Sequence, residues 1–433
     1  MNFISDLSVT AWKRPVSNTD LPPTGATTPQ LLLDFSNSFY EVAGESVGLP
    51  VTFTRASDGT YFDATGVMKT AAADEPRFDH DPVTGEALGL LMEESRTNFL
   101  EDSENFGAWL VSNATIEADS VISPEGILSG AKAVENSSTN KHLIRKVVSI
   151  EAGKRYTGSI FAKSANRGLF LQVWTAGGTV EILVDLQAGT VLFEGPKVEM
   201  STVINVGDGW YHLSMTFDQD IDTNAQFALY LNDYVASNNR YNGDGTSFVE
   251  LWGAQLEVGG RASSYIPTTN NPVTRAGDNA VMQDVSWLTQ GQGTLVVEGG
   301  WNNLQDPNFN SYAVALRDTT TEVIGIRSAS VTSGVAQSVS VTGGTNTAPL
   351  LAGGTGHEGM IRKMAFAYAP DNFAFTVNGE APDTDNSGAV PTSISELRVG
   401  QLSDGAGHID GHVKKVTYYD TRLTNEKIQE ITT

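Results

Sequence analysis

Residues 155–185, RYTGSIFAKSANRGLFLQVWTAGGTVEILVD, indicate the fold class. The stretch contains three apolar runs, and short segments with Asn and Gly separate them. Along the first run Tyr156, Gly158, Ile160 and Ala162 occupy every second position, which is the period of a β-strand with one buried face. The stretch therefore predicts three β-strands joined by turns.

Runs of the same kind extend over much of the chain. Strands are predicted at residues 143–148, 156–163, 169–174, 180–185, 210–217, 227–231 and 248–256. Turns separate these runs, and the abundant Gly and Asn supply the turn positions that need a positive φ. The pattern predicts an all-β chain, with a jelly-roll β-sandwich of antiparallel strands over residues 99–270.

The composition limits the functions that the chain can have. Its 433 residues suffice for two or three domains, and 40% of them are hydrophobic. Acidic residues outnumber basic ones by 51 to 27, and a formal charge of −24 disfavours binding to nucleic acid or to anionic lipid. Cysteine is absent, which excludes disulfides. We expect no cofactor, no membrane insertion and no signal peptide.

Residues 1–30 contain four prolines, which interrupt regular structure. We predict an extended N-terminal arm that becomes ordered against a partner. Trp12 would be its buried anchor, with Lys13 and Arg14 beside it in the attachment site. A frayed terminus is the alternative interpretation.

Residues 31–98 are predicted to form a small β region of their own. The segment TFTRASDGTYFDATGVMKTAAADEPRFDHDPVTGEALGLLMEESRTNFL spans residues 52–100. Its order of turns, its PRFDHDP stretch and its ESRTN ending resemble a segment of phage and prophage structural proteins of the tail-fibre or head-spike type. The resemblance implies a virion setting, as a fibre, spike or decoration subunit, and it carries over no catalytic residue.

Two further resemblances concern the sandwiches. The segments GWYHLSMTF (209–217) and VELWGAQLEVG (249–259) resemble the closing strands of jelly rolls of the carbohydrate-binding-module type. Residues 271–284 are predicted to be a linker. Residues 285–433, with RKMAFAYAPDNFAFTVNGE and IDGHVKKVTYYDTRLTNEKI, are similar to concanavalin A-like and laminin-G-like lectin domains. A short C-terminal helix capped by Thr424 is expected at their end.

The candidate chemical sites are few. Residues 285–433 lack the closely spaced carboxylates of a glycosidase, so we expect that the chain is not an enzyme. His408, Asp410 and His412 could share a strand face and hold a divalent ion, but an ordinary loop before a core strand is favoured. Trp174 and Trp301, each beside a glycine pair, are the candidate glycan contacts, although core packing or a subunit contact is favoured over sugar binding.

These features predict a bacteriophage virion protein, displayed on the head or the tail. Its N-terminal arm would contact a capsid, portal or tail-adaptor protein, and virion symmetry favours a homotrimer. The first alternative is a tail fibre that binds glycans of the host surface, because two lectin-like sandwiches in one chain suit that role. A polysaccharide-degrading enzyme is the third hypothesis, and fold alone does not decide among the three.

Overall fold

The computed structural model describes residues 28–221, 223–234, 239–301, 311–318, 321–328, 335–348, 351–353 and 361–433. The attachment residues predicted in the arm, Trp12, Lys13 and Arg14, lie outside the described residues. Over the described part the chain consists of β-strands in antiparallel sheets, with one short α-helix. This confirms the predicted fold class. No helix in these ranges is long and apolar enough to cross a membrane.

The strands fall into three groups along the chain. The first group is β1 (Leu31–Asp34), β2 (Phe39–Val42), β3 (Glu45–Val47), β4 (Thr52–Thr54), β5 (Gly59–Phe62), β6 (Met68–Ala71), β7 (Phe78–His80), β8 (Ala87–Met92) and β9 (Arg96–Asn98). The second is β10 (Leu110–Ser112), β11 (Ala114–Ile122), β12 (Leu128–Glu135), β13 (Thr139–Asn140), β14 (His142–Ile150), β15 (Lys154–Ser164), β16 (Gly168–Thr175), β17 (Gly178–Asp185), β18 (Thr190–Glu194), β19 (Met200–Asn205), β20 (Trp210–Gln219), β21 (Thr223–Asn232), β22 (Tyr241–Asn242) and β23 (Phe248–Val258). The third is β24 (Val273–Arg275), β25 (Asn279–Met282), β26 (Gly293–Trp301), β27 (Ser311–Arg317), β28 (Val323–Ser328), β29 (Ala336–Thr342), β30 (Thr345–Asn346), β31 (Ala352–Gly353), β32 (Arg362–Ala369), β33 (Asn372–Val377), β34 (Asp383–Asp385), β35 (Glu396–Val399) and β36 (Gly411–Tyr419), followed by α1 (Asn425–Ile431).

The middle sandwich consists of the second group of strands. One of its two sheets has the order β10-β14-β21-β16-β17-β18, and the other has the order β11-β12-β23-β15-β20-β19. Alternate residues of both sheets, such as Ile144, Leu171, Phe217 and Leu251, point inward and form one core. The seven strands that the sequence predicts here are all present, as β14 to β17, β20, β21 and β23, because the alternation that defines each of them is local; the other seven were not predicted.

The second sandwich, which we call the split sandwich, takes its strands from both ends of the chain. Its larger sheet has the order β3-β2-β1-β36-β26-β32-β33-β34, and β8 and β7 continue from β36. The facing sheet has the order β30-β29-β28-β27-β35-β25-β4, with β31 beside β29. Leu31 and Leu33 of β1 share a buried core with Leu295 and Val416. Thr424 caps α1 at its N-terminus by accepting a hydrogen bond from the Lys427 amide, as predicted.

Three predicted divisions of the chain are wrong. Residues 285–433 are not a sandwich of their own, because both sheets also contain strands from residues 31–98. Residues 31–98 are not a separate region, because β1 and β8 pair with β36 and β4 pairs with β25. Residues 271–284 are not a plain linker, because they contain β24 and β25, and β25 lies between β4 and β35. Local alternation identifies a strand, but it does not reveal a partner at the other end of the chain.

The middle sandwich is therefore an insertion in the split sandwich. The chain leaves the split sandwich through β9 and returns through β24, and the two strands pair antiparallel with Asn98 opposite Val273. The Asn98 amide nitrogen donates hydrogen bonds to the backbone oxygens of Ala254 and Ile266, at 3.0 and 2.9 Å. A single buried asparagine thus fixes the entry strand to the inserted domain.

A buried group of charges, which we call the joint cluster, lies at the same place. It consists of Arg55, Arg77, Glu93, Arg275 and Asp278, all almost fully buried. Arg77 pairs with Glu93 at 2.7 Å and with Asp278 at 2.6 Å, and Asp278 also pairs with Arg55 at 3.1 Å. Burial alone would raise the pKa of Glu93, but Arg275 and Arg77 hold it well below its ordinary value. The cluster thus retains its charges in the interior.

Candidate ligand-binding face

One sheet of the middle sandwich, β10-β14-β21-β16-β17-β18, has a second face that points away from the main core. Residues opposite each other in antiparallel strands point the same way, so the ladder aligns side chains in rows across this face. The first row is Leu143, Tyr230, Phe170, Leu183 and Phe193; the second is Arg145, Ala228, Gln172 and Glu181; the third is Val147, Gln226, Trp174 and Thr179. We call these three rows the binding face.

The first row is apolar and forms a small cluster of its own. Tyr230 is fully buried in this row, and Trp174 packs on it with the two ring centroids 6.0 Å apart. Trp174 itself is only partly buried, and its indole nitrogen donates a hydrogen bond of 3.0 Å to the Gln172 side-chain oxygen. The sheet thus holds one aromatic ring at the surface in a fixed orientation.

Two cations lie next to that ring. The Lys141 ammonium is 5.7 Å from the ring centroid of Trp174 and 5.5 Å from that of Tyr230. The Arg145 guanidinium carbon is 6.0 Å from the Trp174 centroid, and Arg145 donates a hydrogen bond of 2.6 Å to Gln226. The neighbour of Arg145 on β21 is Ala228, whose small side chain leaves space for the guanidinium over that strand, and Gln226 is the neighbour of Trp174 on β21. Both cations are near enough for cation–π attraction.

Polar groups fill the centre of the face. The Gln172 amide nitrogen donates a hydrogen bond to the Glu181 carboxylate. Burial raises the pKa of Glu181 above its ordinary value. Burial also raises the pKa of Tyr230, so its hydroxyl stays protonated at neutral pH. That hydroxyl is buried and has no hydrogen-bond partner among the described residues, which is the kind of polar group that an ordered water can satisfy.

Trp301, the other predicted glycan contact, belongs to the core of the split sandwich. Its side chain is 2% exposed, and it points inward from β26 together with Leu295 and Val297. The Arg362 guanidinium lies over its ring at 4.9 Å from the centroid. Trp301 is therefore a core residue, the interpretation that was favoured, and it is not a glycan contact, because the adjacent glycines belong to the strand and do not form a surface turn.

His408, Asp410 and His412 do not share a strand face, which contradicts the trio considered as a metal site. β36 begins at Gly411, so only His412 lies in it. The three side chains contact, in chain order, the backbone oxygen of Asp278 at 2.8 Å, the guanidinium of Arg96 at 3.1 Å and the carboxylate of Asp79 at 2.7 Å. No group of three His, Cys, Asp or Glu side chains suited to a metal ion occurs in the described ranges.

A cleft of about 590 Å³ opens beside the joint cluster, and Arg55, Asp278 and His408 are among its lining residues. Arg55 and Asp278 are already paired with each other. Because Arg55 and Asp278 satisfy each other and the described lining residues include no Trp, Tyr or Phe, the cleft offers a ligand less than the binding face does.

Comparison with protein-family models finds no match, and no curated protein matches the sequence. Several solved structures are similar at a low level. The CBM40 of the Ruminococcus gnavus IT-sialidase, bound to α2,3-sialyllactose, is 14% identical, with 34% of this chain and 84% of that chain covered and a TM-score of 0.27. Domains LG4–5 of the mouse laminin α1 chain are 11% identical, with coverages of 66% and 87% and a TM-score of 0.24. The Trypanosoma rangeli sialidase in complex with sialic acid is 13% identical, with coverages of 88% and 76% and a TM-score of 0.29. With identities and TM-scores this low, the similarities assign neither a family nor a ligand.

The sequence identified Trp174 but missed its neighbours on the face. Arg145, Gln172 and Glu181 come from three different strands, and no short motif joins them. A signal was nevertheless present in β16, where Leu169, Leu171 and Val173 alternate with Phe170, Gln172 and Trp174. Because Leu169, Leu171 and Val173 are all aliphatic and suit the core, the alternating residues Phe170, Gln172 and Trp174 mark the face that can carry a site.

Proposed function

We propose that the chain is a non-enzymatic glycan-binding protein and that the binding face of the middle sandwich is its site. The observation that carries the proposal is a partly exposed Trp174, fixed on Tyr230 and flanked by amide, carboxylate and cationic side chains. A sugar ring has an apolar face of C–H groups that can stack on an indole, and its hydroxyls need hydrogen-bond partners at the rim. Gln226 and Glu181, which are both partly exposed, supply such partners.

We propose a binding role without catalysis because of the number of carboxylate side chains on the face. Hydrolysis of a glycosidic bond requires two carboxyl groups on either side of the bond. The three described rows contain a single carboxylate, that of Glu181, and Gln172 is hydrogen-bonded to it. This arrangement suits recognition better than acid–base chemistry.

A glycan array probed with the full-length protein tests the proposal. We expect binding to a subset of glycans and a loss of about tenfold or more in Trp174→Ala, with an intermediate loss in Trp174→Phe. Phe39→Ala is the matched control, because Phe39 is an exposed aromatic residue of the split sandwich. F39A should bind as well as the wild type does. If the wild-type protein binds no glycan, or if W174A binds as well as F39A, the proposal fails.

We further propose that the protein is displayed on a bacteriophage particle, where glycan binding would contribute to host attachment. The support is the resemblance of residues 52–100 to segments of phage structural proteins. In this proposal residues 1–30 attach the chain to a capsid, portal or tail-adaptor protein, and the assembled subunit is a trimer. Gold-labelled antibody against the split sandwich should decorate intact particles in electron micrographs, and particles without label would refute the proposal.

A further inference from the structure

The binding face is locally cationic although the chain as a whole is acidic. The protein has 27 basic and 51 acidic residues. Even so, Lys141 and Arg145 both approach the Trp174 ring, at 5.7 and 6.0 Å from its centroid. With two cations against the one carboxylate of its described rows, Glu181, the face has an excess of basic side chains, opposite in sign to the net charge of the chain.

These cations are not neutralised by ion pairs within the described part of the chain. Neither Lys141 nor Arg145 forms one there, whereas Lys146 on the same strand as Arg145 pairs with Asp102 at 2.8 Å. The acid of the face, Glu181, interacts electrostatically with Lys141 and offsets part of its charge. The side-chain partner of Arg145 is the neutral amide of Gln226, so the positive charge of Arg145 remains available to a ligand.

The rim of the face contributes a third cation. The Lys197 ammonium donates a hydrogen bond to the backbone oxygen of Gly177, in the turn that follows β16. Lys197 is exposed, and the turn comes directly after Trp174 and Thr175. A ligand that extends from Trp174 toward this turn would meet another positive charge.

We infer that the ligand is an acidic saccharide, a sugar chain bearing carboxylate or sulfate groups; the inference rests on the proposed glycan-binding function. One sugar ring stacks on Trp174, and the anionic group of the same or the next sugar lies against Arg145 and Lys141. A guanidinium matches the geometry of carboxylate and sulfate oxygens, and such charge-assisted hydrogen bonds are stronger than those between neutral groups. Gln226 orients the guanidinium through the bond to its Oε1.

The test uses the full-length protein on three copies of one glycan array. The first copy is untreated, the second has its carboxylates converted to methyl esters, and the third is chemically desulfated. The proteins are the wild type, Arg145→Gln, Arg145→Lys and Lys141→Gln, with Lys154→Gln as the control because Lys154 is exposed and lies on the opposite sheet. Thermal unfolding of each variant verifies that it is folded.

We expect the wild type to bind acidic glycans and to lose that binding by about tenfold after esterification if the anion is a carboxylate, or after desulfation if it is a sulfate. R145Q and K141Q should each weaken binding several-fold, R145K should recover part of the loss, and K154Q should bind as the wild type does. Wild-type binding that survives both treatments, or that is confined to neutral glycans, would overturn the inference and leave the glycan-binding proposal standing. No binding on any copy would overturn both.

Discussion

Thr97 and Thr274 face each other where the chain enters and leaves the middle sandwich, with their hydroxyl oxygens 2.7 Å apart. The two residues are 177 positions apart in the sequence and belong to the paired strands β9 and β24. The joint cluster lies beside this pair, and three of its members, Arg55, Arg77 and Glu93, belong to residues 52–100. Arg77 and Glu93 also hydrogen-bond to Ser264, which follows the last strand of the middle sandwich, so charged residues of this segment connect the inserted domain to its host sandwich.

Replacement of Glu93 by Gln should destabilise the protein strongly. The variant leaves Arg77 and Arg275 without the carboxylate that they share, and removal of one partner from a buried ion pair costs roughly 3–5 kcal/mol. Urea unfolding at pH 7 measures the loss. Glu45→Gln is the control, because Glu45 is exposed on β3, and it should change stability by less than about 0.5 kcal/mol. An E93Q protein as stable as the control would contradict the structural role of the cluster.

The same glutamate predicts part of the acid sensitivity. Its pKa in the folded protein lies well below the value of 4.5 expected for the unfolded chain, so its contribution to stability is present above pH 4.5 and is lost as the pH falls below it. The difference in unfolding free energy between wild type and E93Q should therefore narrow between about pH 4.5 and pH 3. A difference that stays constant over that range would show that Glu93 is not held ionised by its arginines.

Gly89 of β8 should not tolerate a side chain. Its φ is +102°, and a Cβ atom at this position would collide with the backbone oxygen of Val413 in β36. Gly89→Ala should therefore disrupt the pairing of β8 with β36 and lower the melting temperature markedly. Gly44→Ala is the matched control: its φ is +80° but nothing lies within 4 Å of the added atom, so only backbone strain of about 1 kcal/mol is expected. Equal effects of the two variants would refute the steric explanation.

Substitution of the two tryptophans considered as glycan contacts should have different effects on stability and on glycan binding. Trp301→Ala removes a fully buried ring from the core and should cost roughly 3–5 kcal/mol of stability. Trp174→Ala should cost about 1–2 kcal/mol, because its ring is already partly exposed, yet it should weaken glycan binding by about tenfold or more. Denaturant unfolding and array binding, measured on both variants, give the comparison. A W301A protein that is stable but does not bind would reverse the assignment.

Half of the strands of the middle sandwich, including its longest ones, were predictable because their signal is local. In β15 and β16 the apolar alternation and the intervening turn lie within a short stretch of sequence, and both strands form where that stretch predicts them. The pairing of β1 with β36 was not predictable in the same way. Leu31 opposes Tyr418, and no local pattern in either strand specifies such a distant partner.

The site was predictable only in part, for a related reason. Trp174 and Trp301 both stand beside glycine pairs, and that feature does not distinguish a surface ring from a core ring. The position along the strand distinguishes them. Trp301 is an even number of residues from Leu295 and Val297, so it points into the core with them, whereas Trp174 alternates with the core residues Leu171 and Val173 and points the other way. Arg145 could be assigned to the same face only once the register of β14, β21 and β16 was known.

The most direct test of the central claim is a crystal structure of the full-length protein with the strongest glycan from the array. We predict a sugar ring stacked on Trp174 and hydrogen-bonded to side chains of the binding face, with its acidic group against Arg145 and Lys141. A glycan bound only to the split sandwich, or a binding face without ligand at saturating glycan, would contradict the account.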